Sequence, residues 1–249
     1  MIRFVLVAAL AACSHGAVAP QLDGSPSDGH ADDDAAAPDD APVDVAAGAY
    51  RHTITIDGTD DFVVAEIFGT SSTDYAAKLS WDNENLYLGY SGADFDPAAP
   101  ATATKWLFAY LDLDPGAVSG AATSQLYRTQ QATLPAGFGA EFYVRLKCDA
   151  TVVSLEQHQA GGTWVTAATP VSARAGTFVE LAIPRSTFGG ATTIGVVTWM
   201  INEQQGVEGT YAGLYAGTFT DGYNKSPTKY LRADFTSARV PNDPANQKP

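Results

Sequence analysis

The stretch SWDNENLYLGYSG, residues 80–92, sets two apolar strand-formers on either side of a polar turn. Side chains of a strand alternate between its faces, so Leu79 and Trp81 share one face, and Leu86, Leu88 and Tyr90 share one face of the next strand. Asp82, Asn83, Glu84 and Asn85 between them are turn residues whose side chains bond their own backbone. The segment therefore reads as an antiparallel hairpin laid over a core, with Trp81 as a core plug rather than a sugar-stacking platform.

The same pattern continues outward. From Tyr50 onward, short alternating apolar runs are punctuated by Gly, Pro, Asn and Asp, which places strands near 51–56, 75–81, 86–92, 105–113, 140–148, 151–158, 163–169, 176–183, 194–201 and 228–235. No long stretch repeats at 3.6 residues, and no fixed-period repeat is present. Strands this dense, without intervening helices, predict an all-β fold: an antiparallel two-sheet β-sandwich, jelly-roll-like, over residues 50–238. Residues 239–249 read as a flexible C-terminal tail.

At 249 residues and 45% hydrophobic composition, the chain can bury a sizeable core. A formal charge of −14 argues against a nucleic-acid partner, which needs a clustered basic surface. More than half of that charge is local, since eight aspartates lie between Ser14 and Ala49 with no Lys or Arg among them. Residues 13–49 are rich in Asp, Ala and Pro and cannot bury enough apolar surface to offset chain entropy, so they read as a disordered tether. The run Asp32-Asp33-Asp34 lacks the preorganised cage that Ca²⁺ affinity requires.

Ahead of the tether, Arg3 precedes nine apolar residues, Phe4 to Ala12, too few to span a bilayer as a helix, and residues 1–12 read as a signal peptide. Leu10-Ala11-Ala12-Cys13 resembles the bacterial lipobox, which implies lipidation of Cys13 as the first mature residue. Several acyl chains at about 0.8 kcal/mol per buried CH₂ make such an anchor stable. Ser14 stands where an Asp favours inner-membrane retention, so the expected address is the cell envelope, lipid-anchored at the outer membrane of a Gram-negative bacterium. With Cys13 consumed, Cys148 has no partner for a disulfide and reads as a buried, inert thiol.

Candidate chemistry is sparse. The sandwich offers His52 and His158 as histidine bases and no G-x-S-x-G, H-E-x-x-H, phosphate-loop or dinucleotide signature, so catalysis is not expected. The acidic residues Asp112, Asp114, Glu141, Glu180 and Glu203 are not placed in pairs at a catalytic separation by the sequence. In Asp112-Leu113-Asp114-Pro115-Gly116, Asp112 and Asp114 stand on one side of a strand end, which suits a structural Ca²⁺; a metal-free type II turn reads equally from the Pro-Gly pair. Trp106, Phe108 and Tyr110 line one face of a strand whose other face carries Leu107, Ala109 and Leu111, so the aromatic face is either covered by protein or open to a ligand. The Gly-rich segment 202–230 combines Glu203, Tyr211, Tyr215, Tyr223 and Asn224, and long loops on a rigid sandwich commonly carry binding. Trp164, after Gly162, reads either as an exposed edge aromatic or as cross-strand packing. Trp106, Tyr110, Trp164, Glu203, Tyr211, Tyr215, Tyr223 and Asn224 form the candidate ligand set.

Three further segments, in order, carry a family resemblance. Ile56-Asp57-Gly58-Thr59, then Leu79-Ser80-Trp81-Asp82 through Leu86-Tyr87-Leu88, then Glu180-Leu181-Ala182-Ile183-Pro184 resemble the family 9 carbohydrate-binding module and its DOMON-like relatives over residues 54–236. Asp60-Asp61-Phe62 departs from the Trp that often follows the first segment there. The resemblance implies a β-sandwich that binds sugars or, in some relatives, haem through Met with His or Lys. Met200 is the single methionine beyond the start and reads as core filler. The function that follows is non-catalytic binding at the cell surface, of carbohydrate first and of envelope proteins as the alternative, with haem third. A sugar module should present at least two exposed aromatics beside a polar groove, and an interaction module a broader apolar patch.

Overall fold

The computed structural model describes residues 48–99, 102–117 and 119–249. Cys13 and the aspartate-rich segment up to residue 47 lie outside them. The strands are β1 (Ile67–Gly69), β2 (Ala76–Trp81), β3 (Asn85–Ser91), β4 (Lys105–Asp112), β5 (Phe142–Lys147), β6 (Val153–His158), β7 (Trp164–Ala168), β8 (Val171–Ala175), β9 (Phe178–Pro184), β10 (Thr193–Asn202), β11 (Gly209–Tyr211), β12 (Tyr230–Asp234) and β13 (Gln247–Lys248). Short 3-10 turns are the helical elements of the described residues. One antiparallel sheet runs β1-β2-β3-β9-β8, and the other runs β13-β12-β10-β4-β5-β6-β7 with β11 added beside β10. The chain crosses between them after β3, after β7 and after β9.

The expected hairpin forms as read: Leu79 pairs with Leu88 and Trp81 with Leu86, and the Asp82 carboxylate accepts the N–H groups of Glu84 and Asn85 to hold the turn. Alternation along each strand then sorts the side chains into layers. Leu79, Trp81, Leu86, Leu88 and Tyr90 of the smaller sheet meet Leu107, Leu111, Val144, Leu146 and Val196 of the larger one in the central core. Two sheets sharing one apolar interior make a β-sandwich. Trp81 is fully buried and packs edge-on against Tyr50 and Phe235. Met200 and Cys148 lie in the same core, and burial pushes the Cys148 thiol well above its ordinary range.

Both outer faces are also covered. Ile54, Ile56 and Phe62 pack over Tyr87, Phe178 and Ala182 on the smaller sheet. Residues 51–56, expected as a strand, join no ladder; they lie extended across that face, with the His52 N–H donating to the Trp81 carbonyl. The larger sheet is covered by Ala121, Ala132, Leu134, Phe138 and Ala140 from the segment between β4 and β5, and by Phe219 from the segment between β11 and β12. The C-terminal tail is a correction to the reading as flexible: Gln247 and Lys248 pair with Leu231 and Tyr230, and the buried Asn246 amide donates to the carbonyls of Val240 and Pro241. The Asn242 side chain ties this segment to the Val64 carbonyl at the other end of the domain sequence.

Candidate functional site

β4 and β10 run antiparallel with Lys105 opposite Asn202 and Asp112 opposite Gly195, so the two ends of β4 open on opposite ends of the sandwich. The candidate residues divide between these ends and the covered face in between.

At the Lys105 end, a hollow of about 460 Å³ is lined by Tyr75, Asp94, Lys105, Asn202, Glu208 and Tyr211, with Asp221 at its edge. Tyr75 precedes β2, Asp94 sits in the turn after β3, and Tyr211 closes β11, so three separate connections converge on it. The Asp94 carboxylate accepts the hydroxyls of Tyr75 at 2.6 Å and Tyr211 at 2.7 Å, and pairs with the Lys105 ammonium. Burial alone would push the Asp94 carboxyl up, but the hydrogen bonds from Lys105, Tyr75 and Tyr211 outweigh it and hold the group below the usual carboxylate range. The Tyr75 and Tyr211 rings, both half-buried, meet edge-to-face at 5.6 Å. Asp221 accepts hydrogen bonds from Ser71 and Ser72, which brings the segment after β11 against the β1–β2 connection.

At the Asp112 end, Asp112, Asp114 and Glu141 bring three carboxylates within 4.8 Å of one another. Glu141 stands just before β5, 27 residues beyond Asp114, a separation that hides its place beside Asp112 and Asp114 from the sequence pattern. Asp112 is buried and accepts the N–H groups of Asp114 and Gly139; Ser119 bridges Asp114 and Glu141 through its hydroxyl. Burial, reinforced by the neighbouring carboxylates against those two backbone bonds, pushes the Asp112 carboxyl up to about 6. Next to the cluster, a groove along the edge of the larger sheet passes His158 and ends at the half-buried Trp164.

The other expected ligand residues serve the cover. Trp106 and Tyr110 are buried in the outer core: Tyr110 stacks between Tyr143 and Trp199, and Trp106 packs against Tyr127. As a ligand face they are corrected by burial, because the two long connections fold over them and over each other. Tyr223 donates its hydroxyl to the Thr129 carbonyl, Asn224 accepts the Gln131 N–H, and Glu203 faces Arg128 at 3.5 Å. Tyr215 packs edge-on against Phe68 at the central core. Of the aromatic residues described, Tyr223 alone is strongly exposed, at 52%, so the two exposed aromatics expected of a sugar module are not found, and the rings bordering the Lys105-end hollow, Tyr75 and Tyr211, are half-buried. Met200, read as core filler rather than as a haem ligand, is enclosed by the central core.

No family model matches the chain. No curated protein matches it. Among solved structures, it is similar to a family 9 carbohydrate-binding module from Caldicellulosiruptor kristjanssonii in complex with cellotriose, at 14% identity over 72% of this chain and 90% of that one with a TM-score of 0.36. The same module in complex with glucose is similar at 15% identity over 73% of this chain and 94% of that one, again with a TM-score of 0.36.

Proposed function

We propose that the domain is a non-catalytic carbohydrate-binding module and that the hollow at the Lys105 end receives the sugar. The observation carrying this reading is the convergence of two tyrosine rings with an ammonium, carboxylates and an amide around one open, polar space. Sugars offer apolar C–H faces to aromatic rings and hydroxyls to such polar groups. Asp94 is ill suited to acid–base catalysis, since three donors hold it ionised. Lipidation at Cys13 and display at the outer membrane belong to the same proposal, supported by the lipobox-like residues 10–13. A structural Ca²⁺ at Asp112, Asp114 and Glu141 is supported by the donor set: hard oxygen ligands, one of them with its charge disfavoured by burial.

A glycan array probed with the domain from residue 50, with and without Ca²⁺, tests the reading. Glu208→Ala should weaken binding about tenfold, the scale of one lost polar contact, with the melting temperature nearly unchanged because Glu208 bonds within its own turn. Absence of glycan binding at about millimolar concentration, the weakest affinity a specific contact set commonly gives, would leave the envelope-interaction reading in its place.

A further inference from the structure

The groove at the opposite end has its own chemistry. Glu141, just ahead of β5, His158 at the end of β6 and Trp164 at the start of β7 stand in a row: the His158 N–H donates to the Glu141 carbonyl, and His158 pairs with Trp164 across β6 and β7. Two adjoining hollows of about 500 and 460 Å³ follow this row and share Gly120 and His158. Asp114, Ser119 and Glu141 line one, and Gln125, Gln131 and Trp164 line the other. The Trp164 ring is braced edge-on by Tyr143 at 4.8 Å and neighbours the His158 ring at 4.9 Å. Neither the Trp164 indole N–H nor the His158 ring has a hydrogen bond to a described residue, unlike the tyrosines around Asp94. Among the described residues no Lys or Arg lines either hollow, and the charged side chains lining them are the carboxylates of Asp114 and Glu141. Adjacent strands lie about 4.8 Å apart, which puts Trp164 roughly 10 Å from Glu141, too far for one small group to touch both.

We infer that this groove is a second saccharide site, selective for amine-bearing oligosaccharides, in which one sugar ring stacks on Trp164 and the ammonium of a neighbouring unit meets Asp114 and Glu141. A glucosamine oligomer supplies the ring, the ammonium and the length. Its fully N-acetylated counterpart has the same length and lacks the charge, and cellotriose lacks the nitrogen altogether. A charge-assisted bond to a carboxylate is about twice as strong as a neutral one, and this sets the size of the expected selectivity.

Calorimetric titration of the domain from residue 50 with the glucosamine, N-acetylglucosamine and glucose β-1,4 trimers tests the inference. It is run at mildly acidic pH with a chelator present, because Ca²⁺ would take the same carboxylates. The glucosamine trimer should bind about tenfold more tightly than the other two. Asp114→Asn, which keeps an acceptor for Ser119, and Trp164→Ala should each remove about tenfold of that affinity. Equal affinity for the charged and acetylated trimers overturns the inference, as does wild-type affinity in Asp114→Asn. Loss in Glu208→Ala but not in the groove variants would place the amino sugar at the Lys105 end and overturn it equally. Trp164→Phe, which keeps a stacking ring, should retain most of the binding if Trp164→Ala proves unstable.

Discussion

Glu180 accepts the backbone N–H groups of Asp57 and Gly58 with one carboxylate oxygen, at 2.8 and 2.6 Å, while the other oxygen is buried without a partner. Burial raises its carboxyl, and the two backbone bonds only partly oppose that. Two of the three segments that resemble the carbohydrate-binding family thus meet each other: Ile56-Asp57-Gly58 is pinned to the start of Glu180-Leu181-Ala182-Ile183-Pro184 across the outer face of the smaller sheet. They hold the fold together there and line neither hollow. Asp94 has the opposite balance. Its depressed carboxyl contributes stability that is present above the unfolded-state range near 3.8 and lost as the pH falls through the lower folded-state value. Tyr75→Phe removes one donor to that charge and should cost about 1.5 to 3 kcal/mol near neutral pH, the usual size of a hydrogen bond to a charged group. The deficit should shrink once Asp94 is protonated. Urea melts of both proteins at neutral and strongly acid pH measure it, and a deficit independent of pH would show that the hydroxyl does not act through the Asp94 charge.

The long connections are where reading by strand pattern ran out. The central strands were legible because Val, Leu, Trp and Tyr alternate along them; β1, β8, β11 and β13 were not, being two to five residues long at sheet edges or against a neighbour's end. In β8, Val171-Ser172-Ala173-Arg174-Ala175 has weak strand preference and is fixed by pairing with β9, a tertiary cause. The candidate site was legible in part: Asp112 and Asp114 are close in sequence, but Glu141, and the meeting of Tyr75, Asp94 and Tyr211, depend on how separate connections converge. The aromatic face of β4 was read correctly as needing a cover or a ligand, and the cover came from two connections that turn Phe138 and Phe219 inward. The β4–β5 connection crosses itself tightly. A Cβ on Gly139 would lie 1.6 Å from the Ser119 carbonyl oxygen, and backbone on both sides leaves no side chain to yield. Gly139 also donates to the buried Asp112 carboxylate. Gly139→Ala should therefore destabilise the domain by more than about 2 kcal/mol, combining overpacking with a strained bond to a charge. Gly161→Ala, at a turn with open space around it but with φ at +101°, should cost about 1 kcal/mol. Equal losses in the two variants, compared by thermal melts, would mean that the crossing yields more easily than its geometry implies.

At the scale of the whole molecule, the domain has hollows at opposite ends, and the lipid proposed at Cys13 would hold it near a membrane. Cys13→Ser should give a protein that leaves the detergent phase after signal processing; retention there would remove the anchor from the proposal. The ends of the chain invite a sharper comparison, because sequence gave both the same reading. Residues 20–46, rich in Asp, Ala and Pro, and residues 239–249, with three Pro and two Asn, both read as unpacked. For the C-terminal segment that reading fails on specific contacts: β13 extends the larger sheet, Asn246 is enclosed, and Asn242 bonds the backbone at Val64, Ala65 and Ile67. Deleting 239–249 leaves the outer backbone of β12 and the carbonyls of Val64 and Ile67 without these protein partners. At about 1 kcal/mol for each net hydrogen bond, with partial replacement by water, the loss should be about 2 to 4 kcal/mol. Deleting 20–46 should change stability by less than about 0.5 kcal/mol, since its composition buries little. Denaturant unfolding of the two deletions, started from the same unlipidated parent, separates the cases. A large loss on removing 20–46 would show that the aspartate-rich segment contributes packing its composition does not reveal.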